Sequence, residues 1–190
     1  QPRSRGLGDV YKRQLPDFPQ KADFECINLK AGDKVVGAAL SDETDELVFV
    51  TQDAQLLRFD AKTVRPQGRN GAGMAGIKTE SEVVYFGVLK PKAKNIVFTI
   101  ANSSKSLPGT DPGAFKVTKI DEFPKKGRAT GGMRAHKFTK ARDQICLAYV
   151  GPEGFQLLDA KGKAIGIEYE IQKRDTSGDA APAISFIGLV

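Results

Sequence analysis

An all-β fold is predicted, on three observations. Short apolar, β-branched runs recur along the chain, punctuated by Gly, Pro, Asp and Asn. No stretch sustains an apolar 3.6-residue period with caps over three turns. A Gly/Arg-rich segment returns at intervals of about one four-stranded unit. Taken in order, the expected strands are VVGAAL (35–40), LVFV (47–50), LLRF (56–59), VVYFGVL (83–89), IVFTI (96–100), FKVTKI (115–120), ICLAYV (145–150) and AIGIEYEI (164–171). ISFIGLV (184–190) is a candidate last strand.

The repeat is carried by GRNGAGM at 68–74 and GRATGGM at 127–133, with Met74 and Met133 in the same register. A degenerate third copy, KRDTSG at 173–178, keeps the interval from Arg174 to Gly178 that separates Arg69 from Gly73 and Arg128 from Gly132. The copies lie 59 and 46 residues apart, and the extra length of the first interval falls largely in the loop ANSSKSLPGTDPG at 101–113. Each unit reads as an apolar strand, a second strand near Leu47, Ile96 or Phe155, a third near Leu56, Phe115 or Ala164, then the Arg/Gly turn. FECINL at 24–29 matches the MAGIK and MRAHKF that follow the first two turns, so residues 15–29 read as the tail of a preceding blade. About three blades plus that tail are expected.

With 190 residues, 40% hydrophobic and 27% charged, the chain can bury the core of one or two domains. Its longest apolar runs fall far short of the roughly 20 residues that span a bilayer, so no membrane helix is expected. Two cysteines, Cys26 and Cys146, form neither a disulfide framework nor a CxxC metal spacing, and a reducing cytoplasm is the expected compartment. One histidine, His136, excludes a histidine-rich metal site and most acid/base constellations. Residues 9–14, DVYKRQ, are what GAT-GTG-TAT-AAG-AGA-CAG encodes, a string that resembles a transposase mosaic-end adapter. Residues 1–14 are therefore read as an adapter remnant, expected to be disordered, and residues 15–190 as the domain. The leader carries +3 of the formal +6, leaving a mild basicity.

That remaining charge is sorted by position. Residues 41–60 hold six acids against Arg58, 61–78 hold four bases and no acid, and 116–142 hold nine bases against Asp121 and Glu122. Bases thus cluster around the Arg/Gly turns. Repeated basic turns on successive blades would set positive charge at intervals along one rim, which suits a phosphate backbone rather than base edges. Glycines let the backbone approach phosphate, and the planar arginine fork can hold two of its oxygens.

These motifs resemble the C-terminal domain of the A subunit of bacterial type IIA topoisomerases, the DNA gyrase and topoisomerase IV group. The match runs over about 15–190 and is densest in LVFVTQDAQLLRFDAKTVRPQGRNGAGMAGIK (47–78), with FPKKGRATGGMR (123–134) as a second instance. The resemblance implies an incomplete β-pinwheel, a propeller-like disc of four-stranded blades that binds and bends duplex DNA without sequence specificity. Gyrases of that family that wrap DNA tightly carry a QRRGGKG box; QGRNGAG at 67–73 keeps part of it, which tilts the reading toward a topoisomerase IV-like or divergent gyrase-like protein. Carried over by motif, Arg65, Arg69 and Arg128 are DNA-binding candidates, and Lys125, Lys126, Arg134 and Lys137 join them on proximity and charge. The family's strand-cutting tyrosine, ATP and Mg²⁺ belong to other parts of the enzyme, so no catalytic residue, metal or cofactor is assigned to these residues. The parent is expected to be a bacterial cytoplasmic, nucleoid-associated isomerase that dimerises through its N-terminal part and pairs with an ATPase B subunit.

Tyr85, Tyr149 and Tyr169 sit in strand patterns and read as packing residues rather than nucleophiles. His136 reads as a strand-face histidine, Cys26 and Cys146 as small core residues, and the acidic cluster at 42–46 as a solvated turn. The competing class is a propeller-type protein-interaction scaffold, which duplex DNA or heparin retention separates from a DNA-binding module. Three repeats and a tail cannot close a disc, so an unpaired sheet edge and lower solubility than for a chain extended at its N-terminus are expected.

Overall fold

A computed structural model gives the fold and describes residues 8–14, 27–29, 31–68, 71, 73–107 and 110–189. Its strands are β1 (Asp9–Val10), β2 (Glu46–Thr51), β3 (Gln55–Asp60), β4 (Met74–Ala75), β5 (Val83–Leu89), β6 (Asn95–Asn102), β7 (Ala114–Lys119), β8 (Met133–Arg134), β9 (Gln144–Pro152), β10 (Phe155–Leu158), β11 (Ala164–Ile165), β12 (Asp179–Ala180) and β13 (Phe186–Leu189). Short 3-10 turns follow β3 and β7. Two four-stranded sheets, in the orders β5-β2-β3-β8 and β12-β7-β6-β9, are complete blades. A three-stranded sheet, β11-β10-β13, and the pair β1-β4 flank them. Every ladder is antiparallel.

The blades are stitched together by strand exchange. β8 follows the second Arg/Gly turn yet pairs with β3 of the preceding blade, β12 pairs with β7, and β4 pairs with β1. One hydrogen-bond register repeats at all three places. A residue with left-handed backbone, Gly8 (φ 73°), Ala54 (φ 63°) or Gly113 (φ 82°), opens each receiving strand. Its carbonyl accepts from Gly76, Ala135 or Ala181 at 2.8, 2.8 and 3.1 Å. Four residues on, the carbonyls of Lys12, Arg58 and Val117 accept from Gln67, Lys126 and Gln172 at 2.8, 3.0 and 2.8 Å. The exchanged strand thus covers an edge that would otherwise present unpaired backbone groups.

Stacking the sheets face to face buries both sides of the central strands, so β2 and β6 read as unbroken apolar runs. Val48, Val50, Val97, Ile145 and Val150 fill the space between the two complete blades. Phe49, Leu57, Phe59 and Ile77 pack toward β1-β4, and Phe98, Phe115, Tyr149 and Leu157 toward the three-stranded sheet. Each fully buried Phe contributes about 1.5 to 3 kcal/mol. At the hub, β5 meets β9: the Tyr85 and Tyr149 rings lie edge to face at 6.3 Å, and the Tyr85 hydroxyl donates to the Val150 carbonyl at 2.9 Å.

Three expectations are corrected. VVGAAL at 35–40 forms no ladder: in the repeat it takes the place of hub strands β5 and β9, but no hairpin lies beside it among the described residues. Val35, Val36 and Leu40 are accordingly exposed, while Gly37 lies against the Phe86 carbonyl. AIGIEYEI shrinks to β11 plus a single bridge from Ile171 to Val117. The leader is not disordered over 8–14, where Asp9 pairs with Ala75, Val10 with Met74, and Val10 is buried. Residues 1–7 and 15–26, including Cys26 and the first half of FECINL, lie outside the described residues. ISFIGLV does return, as β13 on β10.

Candidate nucleic-acid interface

Each Arg/Gly turn spans from the third strand of its own blade to the exchanged strand on the blade before, so the turns sit along the outer edges of the sheets. Successive turns touch through the segment after each exchanged strand. Ala129 donates to the Gly76 carbonyl at 2.7 Å, and Lys78 donates to the Thr130 carbonyl at 3.0 Å. In the next repeat Lys137 donates to the Thr176 carbonyl at 3.0 Å. A continuous ribbon of turns and two-residue strands results, with its basic side chains set by blade-to-blade geometry.

The predicted residues divide into four groups. Arg65, Lys126, Arg134 and Lys137 are exposed on this ribbon. The Lys126 Nζ donates to the Gly131 carbonyl at 2.6 Å, closing its own turn. Arg128 is half-buried and its Nη1 donates to the Ala75 carbonyl at 2.6 Å, tying the second turn to β4. Lys125 points elsewhere: its Nζ lies 2.7 Å from Asp60 Oδ1 and 3.5 Å from Glu46 Oε1. The hydrogen bond to Asp60 raises the pKa of Lys125 and holds that of Asp60 down. Arg69 lies outside the described residues.

Sequence reasoning missed Lys78, which is exposed four residues after Met74 as Lys137 is after Met133. That interval was the signal that could have found it. Sequence reasoning recognised the degenerate third motif, KRDTSG, but did not carry Lys173 and Arg174 forward as DNA-binding candidates. Among the described residues Arg174 makes a single, long ion-pair contact, to Asp175 at 3.7 Å.

The other singled-out groups serve the fold. His136 is 1% exposed; its Nδ1 lies 2.9 Å from Thr99 Oγ1 and its Nε2 3.0 Å from the Ser177 carbonyl. Nε2 therefore donates and Nδ1 accepts. Burial, with the nearby Lys116 charge, pushes its pKa down to about 4. Burial raises the Tyr85 phenol and pushes Tyr149 up to about 12, which keeps both protonated as packing residues. Cys146 is exposed on β9 rather than in the core, with Sγ 3.5 Å from the Ile100 carbonyl; desolvation of the sulfur raises the thiol pKa. In the acidic cluster, Asp45 is buried and accepts from the Asp42 N–H at 2.7 Å and from Lys90 at 2.9 Å. Burial opposes its ionisation, but those two hydrogen bonds outweigh it and hold its pKa low. Among the described residues no three His, Cys, Asp or Glu side chains gather to hold a metal, and no helix is long and apolar enough to cross a membrane.

Comparison with known proteins agrees with this architecture. The family described as "DNA gyrase C-terminal domain, beta-propeller" matches residues 26–42, 45–88 and 110–143, half of the chain. The A subunit of DNA gyrase from Salmonella typhimurium is 29% identical over 140 residues, covering 73% of this chain and 15% of that protein. Its counterpart from Buchnera aphidicola is 33% identical over 135 residues, 70% of this chain and 15% of the relative. The chain thus spans under a fifth of the length of these relatives. A crystal structure of the C-terminal domain of DNA topoisomerase IV superposes with a TM-score of 0.65 at 26% identity, over 82% of this chain and 47% of that one. The DNA gyrase A C-terminal domain shares the fold, with a TM-score of 0.63 at 16% identity over 85% of this chain and 54% of that one. With its propeller-like blades, exchanged edge strands and matching family pattern, the chain belongs to the C-terminal domain family of type IIA topoisomerase A subunits.

Proposed function

We propose that this domain binds and bends duplex DNA without sequence specificity along the ribbon of basic turns, in support of ATP-dependent changes of DNA topology by a whole bacterial topoisomerase. The observation that supports the reading is the hydrogen-bonded succession of turns, along which Arg65, Lys78, Lys126, Arg134 and Lys137 are exposed. Contacts of this kind neutralise phosphates and release counterions, which gives affinity and curvature without reading bases. In the parent enzyme, ATP and Mg²⁺ would act at sites outside this chain, a second copy of the parent chain together with an ATPase B subunit would complete the assembly, and the bacterial cytoplasm would be its compartment.

The test is equilibrium binding of a fluorescent 30-base-pair duplex across a salt series. Each lost phosphate contact lowers the log-log salt slope by about 0.9. Replacing Arg65, Arg134 and Lys137 by Ala together is expected to lower it by about 2.7, equally for unrelated sequences. An unchanged slope would overturn the assignment, and capture of a protein partner with no retention on duplex or heparin would favour the scaffold reading instead.

A further inference from the structure

The second and third turns rest on chemically different floors. Beneath the second turn lie Phe49, Leu57 and Ile77, all in one apolar cluster. The strand register places Thr99 where Phe49 stands, Lys116 where Leu57 stands, and His136 where Ile77 stands. Beneath the third turn, therefore, the same three positions are polar, and each is 0 or 1% exposed. Among the described residues no carboxylate forms an ion pair with Lys116. Its Nζ donates instead to the carbonyls of Lys173 (3.4 Å), Arg174 and Thr176 (3.1 Å), while His136 donates to the Ser177 carbonyl. Four carbonyls of one turn are thus drawn inward by two buried donors.

We propose that Lys116, braced by Thr99 and His136, is a positioning residue that clamps the third turn from inside so that Lys173 and Arg174 are presented to a DNA backbone. The inference rests on the DNA-binding reading above and adds a contact pair to it. A contrast between turns supports it. On the second turn, where the floor is apolar, Lys126 and Arg128 commit hydrogen bonds to the carbonyls of Gly131 and Ala75. On the third turn the internal ammonium takes that role, and among the described residues the side chains of Lys173 and Arg174 make no hydrogen bond to backbone. A buried amine bonded to several carbonyls loses charge-assisted strength when deprotonated. Burial pushes the Lys116 pKa down to about 8, with Asp175 and Arg174 on the turn, Glu122 on the 3-10 turn and His136 after β8 facing it; Arg142 faces His136. The clamp should loosen between pH 7 and 9, where ordinary lysines and arginines keep their charge.

The whole chain serves for the test, with Lys116→Met and the double variant Lys173→Ala/Arg174→Ala. Replacing Lys173 and Arg174 should lower the duplex salt slope by about 1.8. Lys116→Met should lower it by a similar amount, and combining all three changes should add little more. Raising the pH from 7 to 9 should lower the slope of the wild type but not that of the double variant. Amide exchange at residues 174–178 should quicken at least tenfold in Lys116→Met at pH 7. Unchanged exchange there removes the clamp whatever the DNA result. A wild-type slope equal at pH 7 and 9 also overturns it, even if Lys116→Met does not fold. Quickened exchange with no duplex binding by the wild type leaves the clamp but removes its DNA role, and it is then the proposed function that fails.

Discussion

Acid should attack this fold first through His136. Its pKa falls from an unfolded 6.5 to about 4 in the fold because the imidazole is buried between blades and faces the Lys116 charge. A lowered folded pKa means that the unfolded chain takes up the proton first, so stability falls as pH drops from about 6.5 and levels off below about 4. The gap corresponds to roughly 3 kcal/mol across that window, at 1.36 kcal/mol per pKa unit. The assay is urea unfolding at pH 7, 6, 5 and 4 for the wild type and for Thr99→Val/His136→Ile, which approximates the apolar Phe49 and Ile77 of the neighbouring floor. Asp45 and Asp60, whose pKa values are held low by Lys90 and Lys125, lose stability mainly below pH 4 in both proteins, so the difference between the two isolates the imidazole. The wild type should lose roughly 3 kcal/mol more than the variant between pH 7 and 4. Parallel curves would refute a neutral, buried His136.

Two further outcomes are expected. Gly113→Ala should cost about 2 to 3 kcal/mol in urea unfolding, because φ there is 82° and a Cβ would collide with the Ala101 carbonyl oxygen; a loss below about 0.5 kcal/mol would contradict the exchange register. Lys125→Ala should leave the duplex salt slope unchanged and stability little altered, since its exposed pairing with Asp60 and Glu46 turns it away from the ribbon; a slope lowered by about 0.9 would return it to the interface.

Most of the sheet core was legible because β2, β5, β6, β7 and β9 are apolar runs with β-branched residues, β3 is a Leu/Phe run, and turn residues bound them; local composition is enough to mark such segments. The exchanged strands were not. β4, β8 and β12 are two residues long, and no local pattern says that Met133 pairs with Leu56 of an earlier repeat rather than within its own unit. The run at 35–40 has the composition of a hub strand, but composition cannot supply a partner. Gly166 cut AIGIEYEI short, leaving a two-residue strand. The candidate site was half legible for a related reason. Charge clustering marked the turns, but it could not tell that Lys125 reaches back to the acids of β2 and β3 while Lys137 stays on the ribbon. Lys116 was hidden by alternation itself. In FKVTKI it falls opposite Phe115 and Val117, on what would be the wet face of a two-layer sheet, but between stacked blades both faces are dry.

Strand exchange and charge placement are one design. A basic turn anchored only to its own blade would lie at the end of a hairpin, free to sway, and would lose the entropy of ordering each long side chain when a polyanion arrived. Here the backbone of the second turn is held at two points: Lys126 bonds to Arg58 of the blade that receives its exchanged strand, and Ala129 bonds to Gly76, which follows the strand exchanged one repeat earlier. Moving one turn therefore requires breaking the seam between two sheets, which is filled by Phe49, Phe59 and Ile77 at one joint and by Phe98 and Phe115 at the next. The spacing of the cations is then as stiff as the packing between blades. A duplex bound along them, as proposed above, would have to adapt to that spacing rather than shift it.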